Sequence, residues 1–200
     1  MKKLFLLFCL VTTGILIYSC QPAEKTTAEN DMDEMDSAPK MTLADSVKRG
    51  EHLSHIMGCH DCHTPKLMTD RGPSLDPDRL LSGHPASEQL PVIKDKSIVA
   101  PGQWYLMSSG MTAFVGPWGT SFAANLTPHT TGTGEWTLEH FGKALREGKS
   151  KGLDNGRMLL PPMPWENLAN LSDEDLANLW AYVKSLKPID NLVPAPLPPS

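Results

Sequence analysis

Three stretches of the chain repeat apolar residues at the 3.6-residue interval of an amphipathic helix. The first covers 45–57, with Val47, Gly50, Leu53, Ile56 and Met57 on one face and Asp45 as the expected N-cap. In the second, Thr137 is placed to cap, Trp136 and Phe141 occupy staple positions, and Gly148 ends the run. Its apolar face is Leu138, Phe141, Ala144 and Leu145. The third is the most strongly signalled. Ser172 caps it, Asp173, Glu174 and Asp175 face the positive end of the helix dipole, and Leu171 can staple to Leu176. Leu176, Leu179, Trp180, Val183 and Leu186 form its face before Pro188 stops it. A short helix is expected over 164–170. No period-two run stands out, so the pattern predicts an all-α domain with long loops and few strands.

The first forty residues follow a different rule. Lys2 and Lys3 precede an uncharged apolar run over 4–18, which is short of the about 20 residues a spanning helix needs. A basic start and a short apolar middle make an export signal. Its end, Ile17-Tyr18-Ser19-Cys20, resembles the lipobox of bacterial lipoproteins. The resemblance implies cleavage after a signal peptide of residues 1–19 and lipidation of Cys20. The mature chain would then be anchored to a bacterial membrane, facing the periplasm or cell exterior; the alternative is an uncleaved signal anchor. Residues 20–42 read as an acidic tether, because Glu24, Glu29, Asp31, Asp33, Glu34 and Asp36 repel one another in a stretch without apolar periodicity. The folded domain is expected over 43–190, followed by a Pro-rich tail over 191–200.

Composition narrows the function. With 40% hydrophobic residues in 200, the chain has material for one core. Eighteen basic against 23 acidic residues give a net charge of −5, which excludes a nucleic-acid partner that would need a basic surface. The 15 Gly and 18 Pro demand much loop.

The chemistry is concentrated at Gly58-Cys59-His60-Asp61-Cys62-His63-Thr64-Pro65. Cys-x-x-Cys-His is the attachment signature of c-type haem. Two thiols three residues apart on a helical turn can add to the two haem vinyl groups, and the next residue, His63, then lies beneath the iron. A thioredoxin-like pair would want a βαβ surround. A zinc site would need two further ligands at suitable spacing, and a plain disulfide would leave His63 unexplained. His60, between the thiols, is expected to point away from the iron and into solvent. For the sixth ligand the chain offers Met57, Met68, Met107, Met111, Met158 and Met163. Met163 is favoured because Pro161, Pro162 and Pro164 stiffen the loop that carries it. Met158 is the nearest competitor, ahead of His84, His129 and His140.

The order of helix, Cys-x-x-Cys-His, Gly72-Pro73-Ser74-Leu75, methionine loop and C-terminal helix resembles a class I c-type cytochrome. More narrowly, the chain is similar to the cytochrome subunits of membrane alcohol dehydrogenases. Gly116-Pro117-Trp118-Gly119, Ala124-Asn125-Leu126-Thr127-Pro128, Ala144-Leu145-Arg146-Glu147-Gly148 and the stretch 161–165 carry that likeness. The resemblance implies one covalent haem c, with Cys59 and Cys62 as thioether donors and His63 and Met163 on the iron. It further implies close approach of the first and last helices at Gly50 and Tyr182, and a backbone carbonyl, that of Pro73, holding the His63 ring. The segment 66–135 is unusually long; Trp104 and Trp118 within it could wall the haem, form a docking face or simply pack. The expected function is a one-electron carrier, not an enzyme, between an oxidase, reductase or dehydrogenase and its partner. The alternatives are an electron-acceptor subunit of a dehydrogenase complex, or a small haem peroxidase or sensor.

Overall fold

The computed structural model describes residues 41–199. The expected signal peptide, Cys20 and nearly all of the tether therefore lie outside the described residues. The three long helices form where the apolar periodicity puts them: α1 (Leu43–Ile56), α3 (Leu138–Glu147) and α5 (Asp173–Ser185). Between them lie the short helices α2 (Cys59–His63) and α4 (Trp165–Leu168). No helix among the described residues is long and apolar enough to cross a membrane.

Caps decide where these helices start. Ser172 accepts from the Asp175 N–H, and Thr137 accepts from the His140 N–H. Gly148 closes α3 in the left-handed conformation at φ +66°. At α1 the cap is Thr42 rather than Asp45: Asp45 is the third helical residue, and its carboxylate reaches back to the Thr42 N–H in a capping box. A hydroxyl just upstream and a carboxylate three residues later satisfy two orphan N–H groups together, which a lone Asp cap cannot do.

α1 crosses α5, and Leu53, Phe141, Leu176, Leu179 and Val183 form the core at this junction with α3. Phe141 and Trp180 rings meet at 5.2 Å, and Arg49 pairs with Asp175 at 3.0 Å across the helices. Gly50 makes the crossing possible. A Cβ there would overlap the Asn178 carbonyl oxygen and lie 2.7 Å from Tyr182 Cβ, so α5 backbone sits directly on Gly50.

The all-α expectation is corrected by two small antiparallel sheets. Strands β1 (Lys66–Thr69) and β2 (Gly72–Leu75) form a hairpin. Strands β3 (Leu106–Met107), β4 (Ala113–Gly116) and β5 (Gly119–Phe122) form a three-stranded sheet in that order. Two- to four-residue strands are too short to show alternation. β4 is also covered on both sides, with Ala113, Phe114 and Gly116 all buried, so no polar face marks it. The segment 66–135 is thus folded, and the tail continues onto it: Thr120 and Leu197 exchange backbone hydrogen bonds of 2.9 and 3.0 Å.

Gly50→Ala is expected to cost about 3 kcal/mol, the upper range for overpacking against backbone that cannot yield. The check is urea unfolding of the haem-loaded protein, which should show a lower midpoint at unchanged slope.

Candidate haem site

Gly58 opens α2 at φ +71°, a left-handed step that turns the chain sharply out of α1. Cys59 and Cys62 follow three residues apart on this short helix, so both thiols leave it on the same side. Both are free and half-buried. Burial pushes the Cys59 thiol up to about 11 and raises Cys62 as well. These are neutral thiols, unlike the depressed thiolates of redox Cys-x-x-Cys pairs. Among the described residues no group of three or more His, Cys, Asp or Glu side chains is arranged to hold a bare metal ion.

His63 ends α2, and its Nδ1 donates to the Ala124 carbonyl at 2.8 Å. A carbonyl can only accept, so Nδ1 carries the proton and Nε2 keeps its lone pair for a metal. The carbonyl expected from Pro73 is instead that of Ala124, because Pro73 sits in β2, paired with Met68. Burial holds the His63 pKa below its ordinary value and keeps the ring neutral.

The wall behind His63 is built from the long segment. Gly83 N–H donates to the His63 carbonyl at 2.7 Å, His84 N–H to Ala123 at 2.9 Å, and Leu126 N–H to Leu81 at 2.9 Å. Gly83, at φ +79°, has Ala123 and Ala124 backbone so close that a Cβ would come within 2.6 Å of it. Asn125 then locks the turn after Ala124: its Oδ1 accepts from Thr127 N–H and hydroxyl, and its Nδ2 donates to the Ile189 carbonyl.

Met163 is half-buried in the loop between the short helical turn Ser150–Gly152 and α4. The loop is pinned at its start by Leu159 N–H on the Gly148 carbonyl (2.7 Å) and folded on itself by Trp165 N–H on the Met163 carbonyl (3.0 Å). Met158 is 42% exposed. Each of the three other candidate histidines uses its Nδ1 locally: His84 on the Thr112 hydroxyl, His129 on Thr131, and His140 as acceptor from Thr137 N–H in the α3 capping box. His84 is buried, and its Nε2 has no hydrogen-bond partner among the described residues. Trp104 is exposed, whereas Trp118 packs edge-on to Tyr105 at 4.8 Å.

His60 does not face solvent: it is 2% exposed. Its ring instead enters the α1–α5 crossing, against Ser54 and Tyr182. The Ser54 hydroxyl spends its proton on the Glu51 carbonyl (2.8 Å), so it can only accept from His60 Nε2 at 3.1 Å. Thr64 Oγ1 accepts from Leu81 N–H and has its own proton for His60 Nδ1 at 3.0 Å. Tyr182 hydroxyl lies 3.3 Å from Nε2, and the ring stacks on His55 at 4.3 Å. The ring is thus one neutral tautomer with both nitrogens satisfied. Burial, with help from neighbouring His55, depresses its pKa to about 4. Lys66 is a further residue the sequence pattern did not single out. Its ammonium donates to the carbonyls of His60, Asp61 and Thr64, capping the C-terminal end of α2. A lysine three residues beyond the motif histidine was the available signal.

Two neutral thiols on one helix side, beside an imidazole held by a carbonyl with its other nitrogen free, fit the donor set of a covalently attached haem. Comparison with known proteins agrees with that class of site. Residues 47–187 match the cytochrome c family, and the chain belongs to it. The cofactor that goes with the family is covalently bound haem c with its iron. The chain is 32% identical over 147 residues to the fructose dehydrogenase cytochrome subunit of Gluconobacter japonicus, covering 72% of this chain and 22% of that protein. It is 32% identical over 137 residues to the gluconate 2-dehydrogenase cytochrome c subunit of Pantoea cypripedii, covering 68% and 22%. It is also 30% identical over 145 residues to the cytochrome c subunit of the quinone alcohol dehydrogenase of Gluconobacter oxydans, covering 72% and 22%. The chain therefore spans about a fifth of the length of these relatives.

The buried His60 predicts a pH dependence. Its folded-state pKa, about 4, is below the ordinary 6.5, so the unfolded chain binds more protons between those values. Stability should be full above pH 6.5 and fall toward pH 4 by up to about 1.4 kcal/mol per unit. Urea unfolding of the haem-loaded protein at pH 5 and 7 checks this, with His60→Gln expected to reduce the difference while buried His84, whose pKa burial also lowers, keeps part of it.

Proposed function

We propose that the chain is a one-electron carrier in which Cys59 and Cys62 hold a single haem c by thioether bonds, with His63 and Met163 as axial ligands. The observation that carries this reading is the His63 imidazole, oriented by the Ala124 carbonyl so that its basic nitrogen is free beside two unpaired thiols. When bound, haem c supplies a one-electron iron couple. The chain's own residues tune and protect it. The carbonyl bond strengthens His63 as a donor, and a thioether from Met163 fills the last position and raises the potential. With both axial positions filled, no open site is left for substrate, which favours a carrier over a peroxidase or sensor. Lys66, held against α2, adds positive charge near the site and opposes the oxidised form.

The partner follows from chemistry and likeness. The names of the relatives place their cytochromes in dehydrogenases, which favours a dehydrogenase as electron donor and supports a second reading, that this chain is the acceptor subunit of such a complex. An oxidase or reductase would then take the electron. We further propose export and lipidation at Cys20, supported by Lys2, Lys3, the apolar run 4–18 and the sequence around Cys20. Loss of Lys2 and Lys3 with the signal takes the net charge from −5 to −7. Lipid on Cys20 would hold the domain to a membrane without spanning it.

Spectra of the oxidised, haem-loaded protein test the ligand set. Wild type and Met158→Ala are expected to show the sulfur-to-iron charge-transfer band, and Met163→Ala to lose it completely with a fall in potential. A band that survives in Met163→Ala sinks the assignment. Ready carbon monoxide binding by reduced wild type would favour the sensor or peroxidase alternative.

A further inference from the structure

The loop that carries Met163 is poor in hydrogen-bond donors. Pro161, Pro162 and Pro164 remove three backbone N–H groups, and Met163 N–H is spent locally on the Leu160 carbonyl at 3.3 Å. Proline stiffens such a loop but cannot attach it to anything. Lys143 of α3 pairs with Asp154 at the far end of the loop, but among the described residues one side chain from elsewhere in the chain bonds to its proline-rich part, 159–164. Ser121, on β5, donates its hydroxyl proton to the Pro161 carbonyl at 2.6 Å, across 40 residues of sequence.

The direction of that bond is set by its other partner. The Trp118 indole N–H donates to Ser121 Oγ at 3.3 Å, and an indole can only donate, so the hydroxyl proton is left for Pro161. Trp118 is in turn braced by the edge of Tyr105 at 4.8 Å. Ser121 itself is 7% exposed and pairs with Phe114 of β4, so its position is fixed by the sheet. Three residues along the same segment, the Ala124 carbonyl holds the His63 ring. Two anchors within about 10 Å of extended chain thus reach the loop of one candidate axial ligand and the ring of the other.

We propose that Ser121 is a positioning residue for the sixth ligand: its bond to the Pro161 carbonyl fixes the loop that presents the Met163 thioether. This rests on the Met163 assignment above. It also gives the three-stranded sheet a role, as the rigid frame that holds the ligand loop in place. Ser121 touches neither haem nor iron in this role; it acts through the loop.

The experiment is an imidazole titration of the ferric, haem-loaded full chain, following loss of the sulfur-to-iron band, in wild type, Ser121→Ala, Ser121→Thr, Ser121→Val and Met163→Ala. A typical net hydrogen bond corresponds to about fivefold to tenfold in an equilibrium constant. Ser121→Ala should keep the band at neutral pH but lose it at about fivefold to tenfold lower imidazole. Threonine and valine differ there by a hydroxyl against a methyl on the same frame. Their ratio therefore reads the hydrogen bond even where alanine loosens β5, with threonine near wild type and valine near alanine. A merely structural role would lower the thermal midpoint of threonine and valine alike and leave their imidazole affinities equal. That result, or a Ser121→Ala affinity within about twofold of wild type, overturns the proposal while Met163→Ala still lacks the band. If Met163→Ala keeps the band, the ligand assignment falls and this inference falls with it.

Discussion

One hydrogen bond organises most of the chain: His63 Nδ1 on the Ala124 carbonyl, 2.8 Å long and spanning 61 residues of sequence. An imidazole that closes a short helix has two nitrogens and freedom to turn. Committing one nitrogen to a fixed acceptor decides which way the other faces and which protonation state it keeps. To offer that acceptor, the backbone at Ala124 must itself be rigid, and the surrounding structure supplies this. Residues 81–84 bond to 123–126 and to His63, Thr112 holds Ala123, and Asn125 fastens the turn to the chain after α5. The long stretch between the motif and α3 is therefore the support on which the His63 ring, the proposed iron ligand, rests.

A second support comes from the opposite side of α2. The His60 ring is wedged between Ser54 of α1, Thr64 and Tyr182 of α5, so the helix that bears both cysteines is keyed into the α1–α5 crossing. Gly50 permits that crossing, and Lys66 closes the open carbonyl end of α2. Packing and site are thus one structure. The residues that orient the thiols also form the contact between the first and last helices.

Helices and their caps were legible in the sequence because their signals are local: Ser172, Thr137 and Gly148 act within one turn of where they stand. The haem motif was legible for the same reason, its three side chains lying within five residues. What escaped was non-local. β1, β2 and β4 are short and too evenly buried or exposed to alternate, β5 alternates only by burying the small Gly119 and Ser121, which carry no apolar signal, and Gly and Pro within 72–75 and Gly at 116 and 119 argue against strand locally. His60 reads from the sequence as solvent-facing, whereas it is buried against Ser54, Thr64 and Tyr182. Only the α1–α5 crossing, which is not visible in local spacing, reveals this. Nor could spacing have distinguished Ala124 from Pro73 as the acceptor, since the choice depends on how 66–75 folds back as a hairpin.

The relatives share this domain but are several times longer, so what is common to them is the haem-bearing module and not a whole assembly. The proposal that this module carries its haem through Cys59 and Cys62 is most directly tested by intact mass. The protein is matured in cells that attach haem c and then measured fully denatured. Covalent attachment predicts the chain mass plus one haem for the native sequence, and no added haem when Cys59 and Cys62 are both changed to alanine. A denatured native chain without haem, or one carrying a Cys59–Cys62 disulfide in its place, would contradict it.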